Sequence, residues 1–138
     1  MATYADPAVI RRLLTEAEVW AVVGLGDNPS RAAWSVARRL QANGKKLVPV
    51  HPRAETVFGE PGYATLADVP GHVDVVDMFV NSRRVGGIVD QAIAAGAGAV
   101  WTQLDVVDLE AAARAAAAGL DVVVDRCPAI EAARLGLW

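Results

Sequence analysis

Cysteine is nearly absent from this chain of 138 residues, where Cys127 stands alone. A single thiol excludes an internal disulfide and a cysteine-built metal cluster, and it suits a reducing compartment, so a cytoplasmic location is expected. No apolar run approaches the ~20 residues of a membrane span, and Met1 to Tyr4 lead into a capped helix without the basic and apolar regions of a leader. A membrane partner is therefore not expected. Lysine and arginine are dispersed and the net charge is −3, so the dense basic face that attracts nucleic acid is missing. No cluster has metal-ligand spacing, and Ser30 with His51 makes no triad, because no acid is identifiable to orient the base.

What is present is a repeated grammar. Val19 to Val23 is a short β-branched run suited to a strand buried on both faces of a parallel sheet. Gly24 and Gly26 end it, Asn28 is placed to cap a helix, Pro29 suits the first helical position, and Ala32, Ala33, Val36, Ala37 and Leu40 continue at helical spacing. Asp6 and Pro7 open an earlier helix, and Leu47 to Val50 is a second strand, interrupted by Pro49, whose position must make little demand on ladder hydrogen bonds. The segment from Glu55 to Tyr63 reads as turns with at most a very short strand, and Thr65 to Val69 as one helical turn. Further strands are expected at Val73 to Val80, Ala99 to Thr102 and Val122 to Val124. Helices capped by Asn81 or Ser82 and by Asp108 lie between them, and a terminal helix runs from Ala129 to near Leu135. Gly44, Gly96 and Gly119 each close a helix before a strand. This is an α/β chain forming one domain: a Rossmann-like, doubly wound, mostly parallel sheet in three layers, ordered 3-2-1-4-5-6 with a rudimentary third strand.

In such a fold ligands sit at the carboxyl ends of the strands. That rule selects Gly24 to Arg31, Val50 to Arg53, Val80 to Arg83, and Trp101 to Gln103. The Gly24 to Arg31 turn leads into a helix start, where free N–H groups, the Ser30 hydroxyl and the Arg31 guanidinium would converge on an anion such as a phosphate. A dinucleotide fingerprint would need a third glycine and an acidic end to the second strand. Pro29 stands where that glycine belongs, and Val50-His51-Pro52-Arg53 offers no carboxylate. Arg53 leaves an NADP-dependent oxidoreductase as the alternative.

Five segments in order carry a resemblance that covers nearly the whole chain: Val22 to Arg31, Val48 to Pro52, Val73 to Phe79, Val100 to Leu104 and Val123 to Cys127. Together they resemble the small CoA-binding proteins of the YccU-like family, similar to the CoA-binding domain of the succinyl-CoA synthetase α subunit. The resemblance implies a domain that binds coenzyme A or an acyl-CoA and has no established reaction of its own. It also implies a possible acyl-CoA synthetase partner. By the same resemblance Gly24, Gly26, Asp27, Asn28, Pro29, Ser30 and Arg31 hold the pyrophosphate region, and Val50, His51, Pro52 and Arg53 hold the adenosine side. Val80, Trp101, Thr102 and Gln103 hold the remainder. His51 replaces the more usual asparagine, and neither His51 nor His72 matches the synthetase's phosphorylated histidine.

Other residues read more plainly. Arg83 and Arg84 open a helix at its positive end, an unfavourable place for cations, which favours a ligand role for one of them, and Arg83 is the candidate. Lys45 and Lys46 are expected as solvated charges at the opposite edge. Asp74 and Asp77, three apart on a strand, fall on opposite faces and read as structural. Trp20, Trp34 and Trp101 are core or ligand-wall aromatics, with Trp101 the best placed to touch a ligand. Leu135, Leu137 and Trp138 cover either the core or a homodimer contact.

Overall fold

A computed structural model describes residues 4–138, so what was expected of Met1 to Thr3 lies outside the described residues. The elements alternate: α1 (Pro7–Glu16), β1 (Val19–Val23), α2 (Ala32–Ala42), β2 (Lys46–Val50), a 3-10 turn at Leu66–Asp68, β3 (Val75–Met78), α3 (Ser82–Ala94), β4 (Ala99–Thr102), α4 (Leu109–Ala117), β5 (Asp121–Val123) and α5 (Pro128–Arg134). All strand pairs are parallel, in the order β2-β1-β3-β4-β5. The rudimentary strand is present as one parallel bridge between Val50 and Tyr63 on the outer side of β2, and with it the expected order is recovered. The same bridge explains Pro49. The His51 N–H donates outward to the Tyr63 carbonyl at 2.9 Å, and the Pro49 carbonyl accepts outward from Tyr63 N–H at 2.9 Å. The missing N–H of Pro49 therefore points away from β1 and breaks no ladder bond.

Alternation along the strands divides the core. Trp20, Val22, Val75, Ala99, Trp101 and Val123 face one way, where Leu13 and Leu14 of α1, Val36, Ala37 and Leu40 of α2, and Ala132 of α5 cover them. Ala21, Val23, Val76, Met78, Val100 and Val122 face the other way, under Val85, Ile88 and Val89 of α3 and Ala111, Ala112 and Ala115 of α4. Trp20 and Trp101 are fully buried with ring centroids 5.7 Å apart. Leu135, Leu137 and Trp138 pack on the first of these layers, so the C-terminal segment covers the chain's own core.

At the amino edge of the sheet the polar groups are closed internally. Asp74 Oδ2 accepts from the Glu18 and Val19 N–H groups at 3.0 and 2.8 Å, a structural use of that carboxylate. Lys45 departs from the expected solvated charge: it is 9% exposed, and its Nζ donates to the Ala17 carbonyl at 2.7 Å. Burial lowers its pKa, with Glu18 and Asp74 opposing that shift. Lys46 is exposed, as expected.

The carboxyl edge is shaped by Gly24. Its φ is +98°, and a Cβ placed on it would lie 2.3 Å from the Phe79 carbonyl oxygen, a backbone atom that cannot yield. Gly44 also has positive φ (+87°) but nothing within 4 Å of such a Cβ. Gly24→Ala is therefore expected to destabilise the fold by roughly 2–3 kcal/mol or more, and Gly44→Ala by only about 1 kcal/mol. Urea melts of the two variants, compared with the parent protein, measure the difference; equal losses would show that the Phe79 contact carries no cost.

Candidate functional site

β1 and β3 are neighbours, but the helices that follow them lie on opposite faces of the sheet. A crevice opens between their carboxyl ends, at the point where the strand order reverses. Two hollows flank it. One, of about 470 Å³, lies on the α2 face and is lined by Ala32, Ala33 and Val36 of α2 with Leu104, Val106 and Cys127. Asn81 and Gln103 also line it. The other, of about 510 Å³, lies on the α3 face and is lined by Val50, His51, Pro52 and Thr65, with Arg84, Ile88 and Gln91 of α3. Gly24, Arg31, Phe79 and Val80 line both hollows and form the ridge between them.

The turn before α2 differs from the expected helix start. Asn28 does not cap α2, which begins at Ala32 with Arg31 in the capping position and no side-chain cap. Instead Asn28 Oδ1 accepts from the Ser30 N–H at 3.0 Å and the Ser30 hydroxyl at 2.7 Å, and the Asn28 carbonyl accepts from Arg31 N–H at 3.1 Å. An Asx turn has taken the residues whose local chemistry equally suits a cap. Ser30 is thereby turned onto Asn28, and Asp27, Asn28, Pro29 and Ser30 are exposed outside both hollows. The donors that remain are the N–H groups of the first turn of α2, where Ala32 and Ala33 line the hollow. Arg31 is exposed and forms no ion pair among the described residues. Asp27, the acid nearest to it in sequence, accepts instead from Trp34 Nε1 at 3.4 Å.

Leu25 is fully buried in the core beneath this turn and pins it to the α2 layer. Gly26 has no positive φ; what a side chain there would meet is Glu55 Oε1, at 3.0 Å from a Cβ, and the His51 ring at 3.7 Å. Glu55 thus brings a carboxylate beside the glycine turn, although none ends β2. No strand pattern signals it, because residues 51–55 fold back through a turn closed by the Ala54 N–H on the His51 carbonyl. His51 Nδ1 accepts the Arg53 N–H at 3.1 Å, so the neutral ring holds its proton on Nε2. Arg53 itself is exposed and lines neither hollow.

Three further residues expected at the site line neither hollow. Trp101 is 0% exposed and its Nε1 donates to the Arg126 carbonyl at 2.8 Å, so this ring is core rather than ligand wall. Thr102 is also buried; its hydroxyl donates to the Val106 carbonyl and accepts from Asp125 N–H, tying together the loops after β4 and β5. Arg83 is turned toward its own helix cap, with Nε 3.4 Å from Asn81 Oδ1, and Arg84 is the arginine that lines a hollow.

Beneath the α2-face hollow lies a buried carboxyl. Asp77 is fully buried on β3; its Oδ1 accepts from Gln103 Nε2 at 3.0 Å and its Oδ2 has no partner. Desolvation raises its pKa to about 7, and the Gln103 hydrogen bond offsets only part of that rise. Among the described residues no group of histidine, cysteine and carboxylate side chains is arranged to hold a metal ion, and no helix is long and apolar enough to cross a membrane.

Five parallel strands, helices on both faces and a crevice at the reversal of strand order define a Rossmann-like domain. The chain belongs to the family of CoA-binding domains, which it matches over residues 18–133. It is 29% identical over 120 residues to the uncharacterized protein YneT of Bacillus subtilis, covering 87% of this chain and 89% of that one. A solved structure of a hypothetical protein from Pyrococcus horikoshii is 37% identical, with a TM-score of 0.89, over 94% of this chain and 92% of that one. A 66-residue segment is 32% identical to the α subunit of an ADP-forming acetate–CoA ligase from Pyrococcus furiosus, covering 47% of this chain but only 14% of that subunit.

The buried carboxyl generates a measurable pH dependence. Asp77 holds a proton more tightly in the folded protein than a free aspartate side chain, whose pKa is 3.8, does. Between about pH 4 and 7 the folded state therefore binds more protons than the unfolded state, and its stability falls as pH rises, by up to about 4 kcal/mol from this group. Above the folded pKa the contribution is flat. Denaturant melts from pH 4 to 8 should show this fall in the parent protein relative to Asp77→Asn; parallel curves for the two would place the Asp77 proton elsewhere.

Proposed function

We propose that the protein binds coenzyme A or an acyl-CoA across the carboxyl edge of its sheet. The observation that carries this reading is the pair of hollows on opposite faces, joined at a ridge where Arg31 and the first turn of α2 offer donors. A ligand with an anionic middle and two dissimilar ends suits such a site. The pyrophosphate lies over Gly24, Arg31 and the Ala32 and Ala33 N–H groups, where a helix N-terminus favours negative charge. The adenosine end enters the His51 and Pro52 hollow, where Arg84 supplies a second cation, and the thiol-bearing arm enters the more apolar hollow that Gln103 lines. Membership of the CoA-binding family supports this choice over NADP. Binding rather than turnover is the activity proposed, in a cytoplasmic setting that suits a single buried thiol.

The segment shared with the acetate–CoA ligase α subunit favours one elaboration, in which the bound ligand is presented to an acyl-CoA synthetase chain. Co-purification of such a chain with the tagged protein, lost on adding excess free coenzyme A, is the outcome that fits it.

At about 100 times its dissociation constant, coenzyme A should stabilise the fold by about 2.7 kcal/mol, a melting shift of several degrees, and NAD should do little. A larger shift with NADP than with coenzyme A would overturn the reading. In isothermal titration, Arg31→Ala removes a charge-assisted contact worth roughly 1.5–3 kcal/mol and should weaken binding about ten- to a hundredfold, with apo stability nearly unchanged. Arg84→Ala should weaken it measurably and Arg83→Ala should not; the reverse ordering would move the second cation to the residue that faces Asn81.

A further inference from the structure

Gln103 is 7% exposed and stands at the boundary between the α2-face hollow and the core. Its amide has two unlike ends. The Nε2 end donates inward to Asp77 Oδ1 at 3.0 Å, and the Oε1 end accepts no hydrogen bond among the described residues. An amide is planar, so committing the nitrogen to the core side turns the oxygen away from it. Unlike Asp77 Oδ2, Gln103 Oε1 is not sealed from solvent as an orphaned buried atom.

We infer that Asp77 is a positioning residue: by holding Gln103 Nε2 it presents Gln103 Oε1 to the hollow as a fixed acceptor, which reads an amide N–H on the arm of the ligand. This rests on the coenzyme A reading and adds to it the group that distinguishes a pantetheine-type arm, which carries secondary amides, from any ligand that shares only the nucleotide end. A nearly buried acceptor discriminates by more than its own bond. A ligand without a matching donor covers it and leaves it unpaired, whereas one with the donor satisfies it.

The test uses the whole protein and two probes: coenzyme A, and 3′-phospho-ADP, which is its nucleotide end without the arm. In isothermal titration the parent protein should bind coenzyme A more tightly. Gln103→Met, which keeps the length of the side chain and removes the amide, should weaken coenzyme A by roughly three- to tenfold and leave 3′-phospho-ADP unchanged within about twofold. Asp77→Leu should cost the same preference, and adding it to Gln103→Met should cost nothing more, since both changes act on one amide. Asp77→Asn, which retains an acceptor and keeps the inference testable if the leucine variant does not fold, should preserve most of the preference. Additive losses, equal weakening of both probes by Gln103→Met, or a parent protein that binds the two probes alike would overturn the inference while leaving the nucleotide site intact. Failure of the parent protein to bind either probe would instead remove the coenzyme A reading, and this inference with it.

Discussion

The contact between Gly24 and the Phe79 carbonyl is the constraint on which the site depends. β1 is an interior strand, bonded to β2 on one side and β3 on the other, and its chain must leave the sheet toward the α2 layer while the chain leaving β3 goes to the α3 layer. The two exits cross at close range. Only a residue without a side chain passes a backbone carbonyl at that distance, and with φ at +98° only glycine holds the turn at little cost. The crevice, its two hollows on opposite faces and the arginine at their ridge all follow from this crossing.

Much of this architecture is written locally. Strand and helix alternate because β-branched runs are separated by caps and closing glycines, and Asp6, Asn81 and Asp108 each accept from the N–H groups their positions imply. Even Pro49 is informative, since a residue without an N–H selects an outward position on β2. The legible part of the site is the part set by topology: Gly24, Arg31, Val50, His51, Pro52, Val80 and Gln103 all line the hollows because strand ends in this fold are forced to one edge.

What was not legible depends on direction rather than position. Asn-Pro-Ser is as good an Asx turn as a helix start, and only the packing of α2 shows that the helix waits until Ala32. Arg83 and Arg84 differ by one residue, about 100° around a helix, and that rotation decides which of them faces the crevice. Trp101 lies on a strand end in the right loop but points into the layer already occupied by Trp20, where burial of both rings outweighs exposure of one. Glu55 reaches the glycine turn by a chain reversal that has no period to detect. Each of these is a tertiary outcome in which local preference had two nearly equal answers.

The two edges of the sheet differ in a way that bears on motion. At the amino edge, Asp74 and Lys45 already occupy the donors and acceptors that β1 and its neighbour leave free. At the carboxyl edge the Ala32 and Ala33 N–H groups of α2, the Arg31 guanidinium and the Gln103 oxygen have no partner among the described residues. Backbone and side chains that bond only to solvent open more readily than those bonded within the fold. On the proposed reading, a ligand seated in the crevice would supply the partners that the amino edge draws from Asp74 and Lys45. Its arrival would close the second edge as the buried lysine and aspartate close the first, and occupancy would then register as a loss of fluctuation along one rim of the molecule.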